Sequence, residues 1–210
     1  EVVIKENKST DRINNAPAGN PHKINDISQT HFSRIDLHYS ELNRVLGGGL
    51  VKGSLVLLGG EPGIGKSTLI LQSVLNLSET TVLYISGEES ETQIKLRADR
   101  IGIYNPDCYI YTETNIEKIL ATIKNINPKI VVIDSVQTVA SADLSSSPGT
   151  VSQIRECTRQ LQEFAKETAT PVILIGHINK EGDIAGPMSL EHIVDVVLQF
   201  EGDNNYFYRL

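Results

Sequence analysis

Six short stretches of the chain are apolar at nearly every position: Ser54 to Leu58, Thr81 to Ser86, Cys108 to Tyr111, Ile130 to Asp134, Pro171 to Gly176 and Val196 to Phe200. Continuous runs of Val, Ile, Leu and Tyr, rather than alternation, suit strands covered by helices on both faces. Between them apolar residues return every three or four positions, predicting helices over Lys66 to Leu77, Glu91 to Ile101, Ile116 to Ile126 and Val151 to Ala165. In the second of these, Ile94, Ala98 and Ile101 share a face. Ser90 and Asn115 stand where N-cap side chains belong. Strands alternating with helices predict an α/β fold with a mostly parallel central sheet. A last pair, Val196 to Phe200 and Tyr206 to Leu210, brackets the turn cluster Gly202-Asp203-Asn204-Asn205 and predicts a C-terminal β-hairpin.

The periodic pattern begins near Arg34, whereas the first 30 or so residues carry Lys, Asn, Ser, Pro and Gly in no period, with Asn14 to Pro21 at their centre. Residues 1–32 therefore read as a linker and 33–210 as one folded core, cut at its C-terminal edge. The chain starts at Glu1 and its one methionine is Met188, so a piece of a longer protein is expected.

Composition narrows the picture. With 40% hydrophobic residues in 210, the chain can bury a sizeable core. No apolar run reaches the roughly 18 residues of a membrane span and no leader resembles a signal peptide, so a cytoplasmic protein without a membrane partner is expected. Cys108 and Cys157 are far apart with no metal-ligand spacing, so ordinary buried or half-buried thiols are expected. A formal charge of -7 argues against a broadly basic nucleic-acid surface, leaving localised loops as the route to any such partner.

The strongest chemical signal is Gly60-Glu61-Pro62-Gly63-Ile64-Gly65-Lys66-Ser67, which fits G-x-x-x-x-G-K-[ST] between a predicted strand and a predicted helix. In that context Gly60, Gly63, Ile64, Gly65, Lys66, Ser67 and Thr68 would surround the phosphates of ATP. Lys66 would hold the β- and γ-phosphates, and the Ser67 hydroxyl would ligate Mg²⁺. Asp134 ends the strand Ile130 to Asp134 and is expected to hold a Mg²⁺ water, against the plainer reading of a turn aspartate. Glu88, with Glu89 behind it, follows the strand Thr81 to Ser86 at the same sheet edge and could orient the attacking water or simply begin a helix. His177 could sense the γ-phosphate or stabilise its loop. A dinucleotide oxidoreductase lacks its G-x-G-x-x-G here, and a serine hydrolase its G-x-S-x-G.

Several separate runs resemble the bacterial RadA (Sms) family of repair ATPases: Leu46 to Leu50, Gly60 to Ser67, Ser86 to Ser90 with Lys95 to Ala98, Val132 to Thr138, Val151 to Cys157, Gly176-His177, Ile184 to Pro187 and Leu190 to His192. The resemblance spans about residues 33 to 210. It implies a RecA-like P-loop NTPase core, ATP and Mg²⁺, a homo-hexameric ring around single-stranded DNA, and work beside the RecA recombinase on branched DNA. It also implies that Glu88 is the catalytic glutamate and His177 the γ-phosphate sensor. Arg97 stands where related ring helicases stack an arginine on adenine, although a solvated helix arginine would look the same. The family's zinc module and its Lon-protease-like domain have no counterpart in this chain, and Met188 stands where the family usually has a basic residue.

The loops that would meet DNA are poor in cations: Val139 to Thr150 holds Asp143 and no Lys or Arg, and beyond His177 Lys180 is offset by Glu181 and Asp183. Lys180 could alternatively serve as a finger to a neighbouring subunit's nucleotide. Two rivals follow: a nucleotide-gated assembly module without motor activity, and a kinase using the same loop.

Overall fold

Leu55 to Leu58 is apolar on both faces, and the strand it forms is buried at every residue, with helices on either side. The computed structural model describes residues 23–26, 34–177 and 190–202. By internal contacts the chain divides into two units, Glu1–Phe32 and Ser33–Leu210. In the first, the described residues form a single 3-10 turn, Ile24–Asp26.

The second unit opens with a two-stranded antiparallel pair, β1 (Arg34–Ile35) and β2 (Leu50–Val51), around the short helix α1 (Ser40–Val45). There follow β3 (Leu55–Gly60), α2 (Lys66–Leu75), β4 (Val82–Ser86), α3 (Glu91–Ile101), β5 (Cys108–Thr112) and α4 (Ile116–Ile126). The chain then forms β6 (Ile130–Asp134), a 3-10 turn (Val136–Thr138), α5 (Val151–Thr168), β7 (Val172–His177) and β8 (Val196–Phe200). The strands join in the order β5-β4-β6-β7-β3-β8 with every neighbouring pair parallel, so the expected α/β architecture is present. The second strand of the expected hairpin, Tyr206 to Leu210, lies outside the described residues.

Alternation along the strands divides the core in two. Leu55, Leu57, Leu83, Ile85, Val131, Ile133 and Leu174 pack with Ile119 and Ile123 of α4 and Leu161 of α5. Val56, Leu58, Tyr84, Val132 and Ile175 pack with Ile70, Leu71 and Val74 of α2 and Ile94 of α3. Each such side chain contributes roughly 1.5–3 kcal/mol by leaving water.

Local signals set the helix ends. The Ser90 hydroxyl accepts from Gln93 N while the Gln93 carboxamide accepts from Ser90 N, a reciprocal cap at the start of α3. Asn115 Oδ1 accepts from Lys118 N at 2.8 Å and starts α4. α5 runs past the expected Ala165 to Thr168, because Ala169 supplies the left-handed residue, φ 54°, that closes it. α2 stops at Leu75, short of the expected Leu77, where Asn105 intervenes. The buried Asn105 Nδ2 donates to the carbonyls of Val74, Leu77 and Thr80 at 3.2, 2.9 and 3.1 Å. Asn105→Ala leaves these acceptors without that partner and is expected to cost about 2 kcal/mol. Urea unfolding would show it, and an unmoved midpoint would contradict it.

Candidate nucleotide site

In a parallel sheet the chemistry collects at the carboxyl edge of the strands, and here four strands deliver it. Gly60 at the end of β3 lies opposite His177 at the end of β7, while Asp134 of β6 lies opposite Ser86 of β4. The loop from Gly60 to Lys66 turns into α2 through Gly65, whose φ of 111° is one a side chain rarely adopts. Glu61, Pro62, Gly63 and Thr68 are exposed, and Ile64, Gly65 and Ser67 half-buried. Helix geometry leaves the first N–H groups of α2, from Lys66 onward, without intrahelical partners.

Lys66 is only 3% exposed. Its ammonium donates to Gly60 O at 2.7 Å and Glu61 O at 2.8 Å, and lies 3.5 Å from His177 Nδ1. Burial lowers its pKa, and the carboxylates of Asp134 and Glu88 partly offset this. A cation satisfied by its own loop's carbonyls fits an anion site, since a phosphate can take their place. The other face of His177 meets Glu88, with Nε2 3.3 Å from Oε1. That same oxygen accepts from Ser135 Oγ at 2.5 Å. Lys66, His177, Glu88 and Ser135 thus form one chain of contacts from the loop to β6. Gly87 holds the approach to Glu88 close to this wall, since a Cβ there would sit 2.1 Å from Thr138 Oγ1.

Asp134, 6% exposed, accepts from the fully buried Tyr84 hydroxyl. Burial, then the Asp134 charge, push the Tyr84 phenol well above its usual pKa, so it stays protonated as a donor. The Asp134–Ser135 peptide bond is cis. Ser67 and Asp134 offer the hard oxygen donors that suit Mg²⁺. Among the described residues no cluster of three or more His, Cys, Asp or Glu could hold a metal by itself.

Arg97, by contrast, is committed to Glu89. Its Nη1 donates to Glu89 Oε1 at 2.7 Å, while Nε and Nη2 are buried without a protein partner. It borders an open hollow with Glu89, Gln93, Leu96 and Arg100, none of them from the phosphate loop. The loop Val139 to Thr150 is tied down by α4 and α5. Gln153 Nε2 donates to the carbonyls of Ser141, Leu144 and Ser146, and Glu117 accepts from Ser141 Oγ and Ala142 N. Lys180, Glu181, Asp183 and Met188 lie outside the described residues. Cys157 is buried and Cys108 half-buried, both as free thiols, and burial pushes them to about 12 and about 11.

Sequence reasoning assigned no role to Ser135 or Tyr84. A tyrosine in a strand otherwise buried on both faces was the available signal, since its hydroxyl must find a partner there.

With this geometry in place, comparison with known proteins is decisive for the family. A family model described as an AAA domain matches residues 21–183. The chain belongs to the AAA domain family. It is 53% identical over 192 residues to the DNA repair protein RadA of Bacillus subtilis (strain 168), covering 90% of this chain and 42% of that protein. It is 48% identical over 212 residues to the DNA repair protein RadA of Halalkalibacterium halodurans, covering 100% of this chain and 46% of the relative. The AAA domain and these relatives bear out the resemblance to RadA and its RecA-like ATPase core. The chain spans a little under half the length of these curated relatives. Among solved structures, a KaiC-like protein from Pyrococcus horikoshii OT3 shares the fold, with a TM-score of 0.64, 22% identity and coverage of 85% of this chain and 86% of that one. Among the described residues no helix is long and apolar enough to cross a membrane.

Proposed function

We propose that the chain is the ATP-hydrolysing core of a RadA-like DNA-repair motor. The observation that carries this is the line of contacts from Lys66 through His177 to Glu88 and Ser135, beside the loop Gly60 to Ser67. On ATP binding, Lys66 exchanges its two loop carbonyls for β- and γ-phosphate oxygens, and the N–H groups at the start of α2 face the same phosphates. Ser67 and, through water, Asp134 would hold Mg²⁺, which when bound neutralises charge developing on the phosphates. Glu88 orients a water molecule and accepts its proton as the water oxygen bonds to the γ-phosphorus and the bridge to the β-phosphate breaks. With Lys66 turned to the phosphates, His177 Nδ1 is left facing the γ-phosphate position and can register its loss. Arg97 remains a candidate for the adenine face only if its pair with Glu89 opens.

The DNA part of this reading rests on the relatives, which are named as DNA repair proteins. It extends to a cytoplasmic homo-hexamer on single-stranded DNA working with the RecA recombinase. One observation favours the rival, a nucleotide-gated assembly module: the loop Val139 to Thr150 has no cation, and its Ser141, Leu144 and Ser146 carbonyls accept from Gln153. Phosphate release with and without single-stranded DNA separates the two. The motor predicts Mg²⁺-dependent hydrolysis that DNA accelerates; nucleotide binding without any DNA response supports the assembly module instead.

A further inference from the structure

Asp134 would have two carboxylate oxygens to offer a metal's water, and the surrounding protein takes one of them away. Tyr84 faces Val132 across the β4/β6 pair and Ser86 faces Asp134, so the Asp134 carboxylate lies on the diagonal from Tyr84. Tyr84 and Val132 look toward α2 and α3, and Asp134, two residues beyond Val132, shares that face. A long aromatic side chain spans such a diagonal. The Tyr84 hydroxyl does so, donating to Asp134 Oδ2. Tyr84 is 0% exposed and Asp134 6%, so water does not easily substitute for that hydrogen bond. Among the described residues no other side chain donates to Asp134. The ring belongs to the buried core, and a phenol can turn its O–H without moving its oxygen.

We propose that Tyr84 is a positioning residue, whose hydroxyl pins Oδ2 of Asp134 and so leaves Oδ1 to hold the water of a nucleotide-bound Mg²⁺. This rests on the nucleotide reading above and deepens it. A hydrogen bond behind a group that holds a metal's water sets that group's orientation and basicity, and loss of such outer partners weakens metal binding by about tenfold, the low end of what outer-shell partners of a metal typically cost. Tyr84→Phe keeps the ring and its packing and removes only the hydroxyl.

The test is fluorescence of a labelled ATP bound to the 210-residue chain, titrated with Mg²⁺, beside a titration of the same nucleotide in EDTA. Tyr84→Phe should raise the Mg²⁺ concentration at half-saturation about tenfold. It should leave metal-free nucleotide binding unchanged, and it should have no effect on the Mg²⁺ midpoint in an Asp134→Asn background. A purely structural tyrosine would lower both titrations together, and that result overturns the proposal. So does an unmoved Mg²⁺ midpoint. Should the phenylalanine protein not fold, 3-fluorotyrosine placed at position 84 keeps the hydroxyl and gives a fluorine resonance. That resonance should shift when Mg²⁺ joins the nucleotide-loaded protein, and a stationary one overturns the inference. Parent protein that binds no labelled ATP would sink the nucleotide reading and this inference together, whereas a parent with a normal Mg²⁺ response and an indifferent Tyr84→Phe sinks only the latter.

Discussion

A Lys66→Ala chain should lose labelled-ATP binding and release phosphate at least about a hundredfold more slowly, yet unfold at no lower a temperature than the parent. The first half follows from position. Lys66 is the cation that reaches both the loop carbonyls and the edge of His177, so no neighbouring side chain in that chain of contacts replaces its charge. The second half follows from cost. An ammonium held at 3% exposure has given up water for two carbonyls, and burial works against its charge. Alanine removes that cost, which offsets the loss of a donor by the buried Gly60 carbonyl, while Glu61 is exposed and its carbonyl region can be rehydrated. Strain or desolvation stored at a site for the sake of a ligand is the common reason that a functional residue does not stabilise its own fold. Thermal unfolding with and without ATP checks both halves. A midpoint that falls with nucleotide binding intact would show that Lys66 is a structural lysine instead.

The centre of the sheet was legible because β3, β4, β6 and β7 are buried on both faces, and such strands spell themselves as nearly uninterrupted apolar runs, whereas the edge strands β5 and β8 are only half-buried. β6 and β8 have the expected limits, and α3 and α4 begin at the residues that Ser90 and Asn115 cap. The errors lie where no period can form. α1 has six residues and β1 and β2 two each, too few to repeat a pattern. The end of α2 is decided by Asn105, some 28 residues away from the Leu77 carbonyl it binds, and no local rule carries that information. Parallel register was equally invisible in the text, although it is what brings Gly60 level with His177.

The candidate site divides along similar lines. The phosphate loop is a local motif and was readable as one. Read from sequence, Glu88 is the first candidate and its neighbour Glu89 stands behind it. In the fold their side chains part: Glu88 meets Ser135 and His177, and Glu89 is taken by Arg97. Arg97 shows the reverse difficulty. Its place in a helix allowed an adenine contact, but not the ion pair that holds it at 12% side-chain exposure. The contacts of Ser135 with Glu88 and of Tyr84 with Asp134 join residues far apart in the sequence, and such contacts emerge only once the register is known.

Glu88→Gln is expected to separate binding from turnover. The substitution keeps the side chain's length, and a carboxamide oxygen can still accept the Ser135 hydroxyl that Oε1 accepts now at 2.5 Å. What it removes is the capacity to take a proton from water. General-base catalysis by a positioned side chain contributes typically about 10²–10⁴ in rate, so phosphate release should fall by that order while labelled ATP still binds. The Glu88 side chain is 44% exposed, so exchanging its charge should leave the unfolding midpoint close to the parent's. Glu89→Gln is the paired control, because Glu89 lies against Arg97 and away from the line that includes His177. It should keep most of the turnover. Comparable loss in both variants would mean that net charge at the start of α3 matters more than a base. Undiminished phosphate release from Glu88→Gln would assign the water to a different group at the sheet edge.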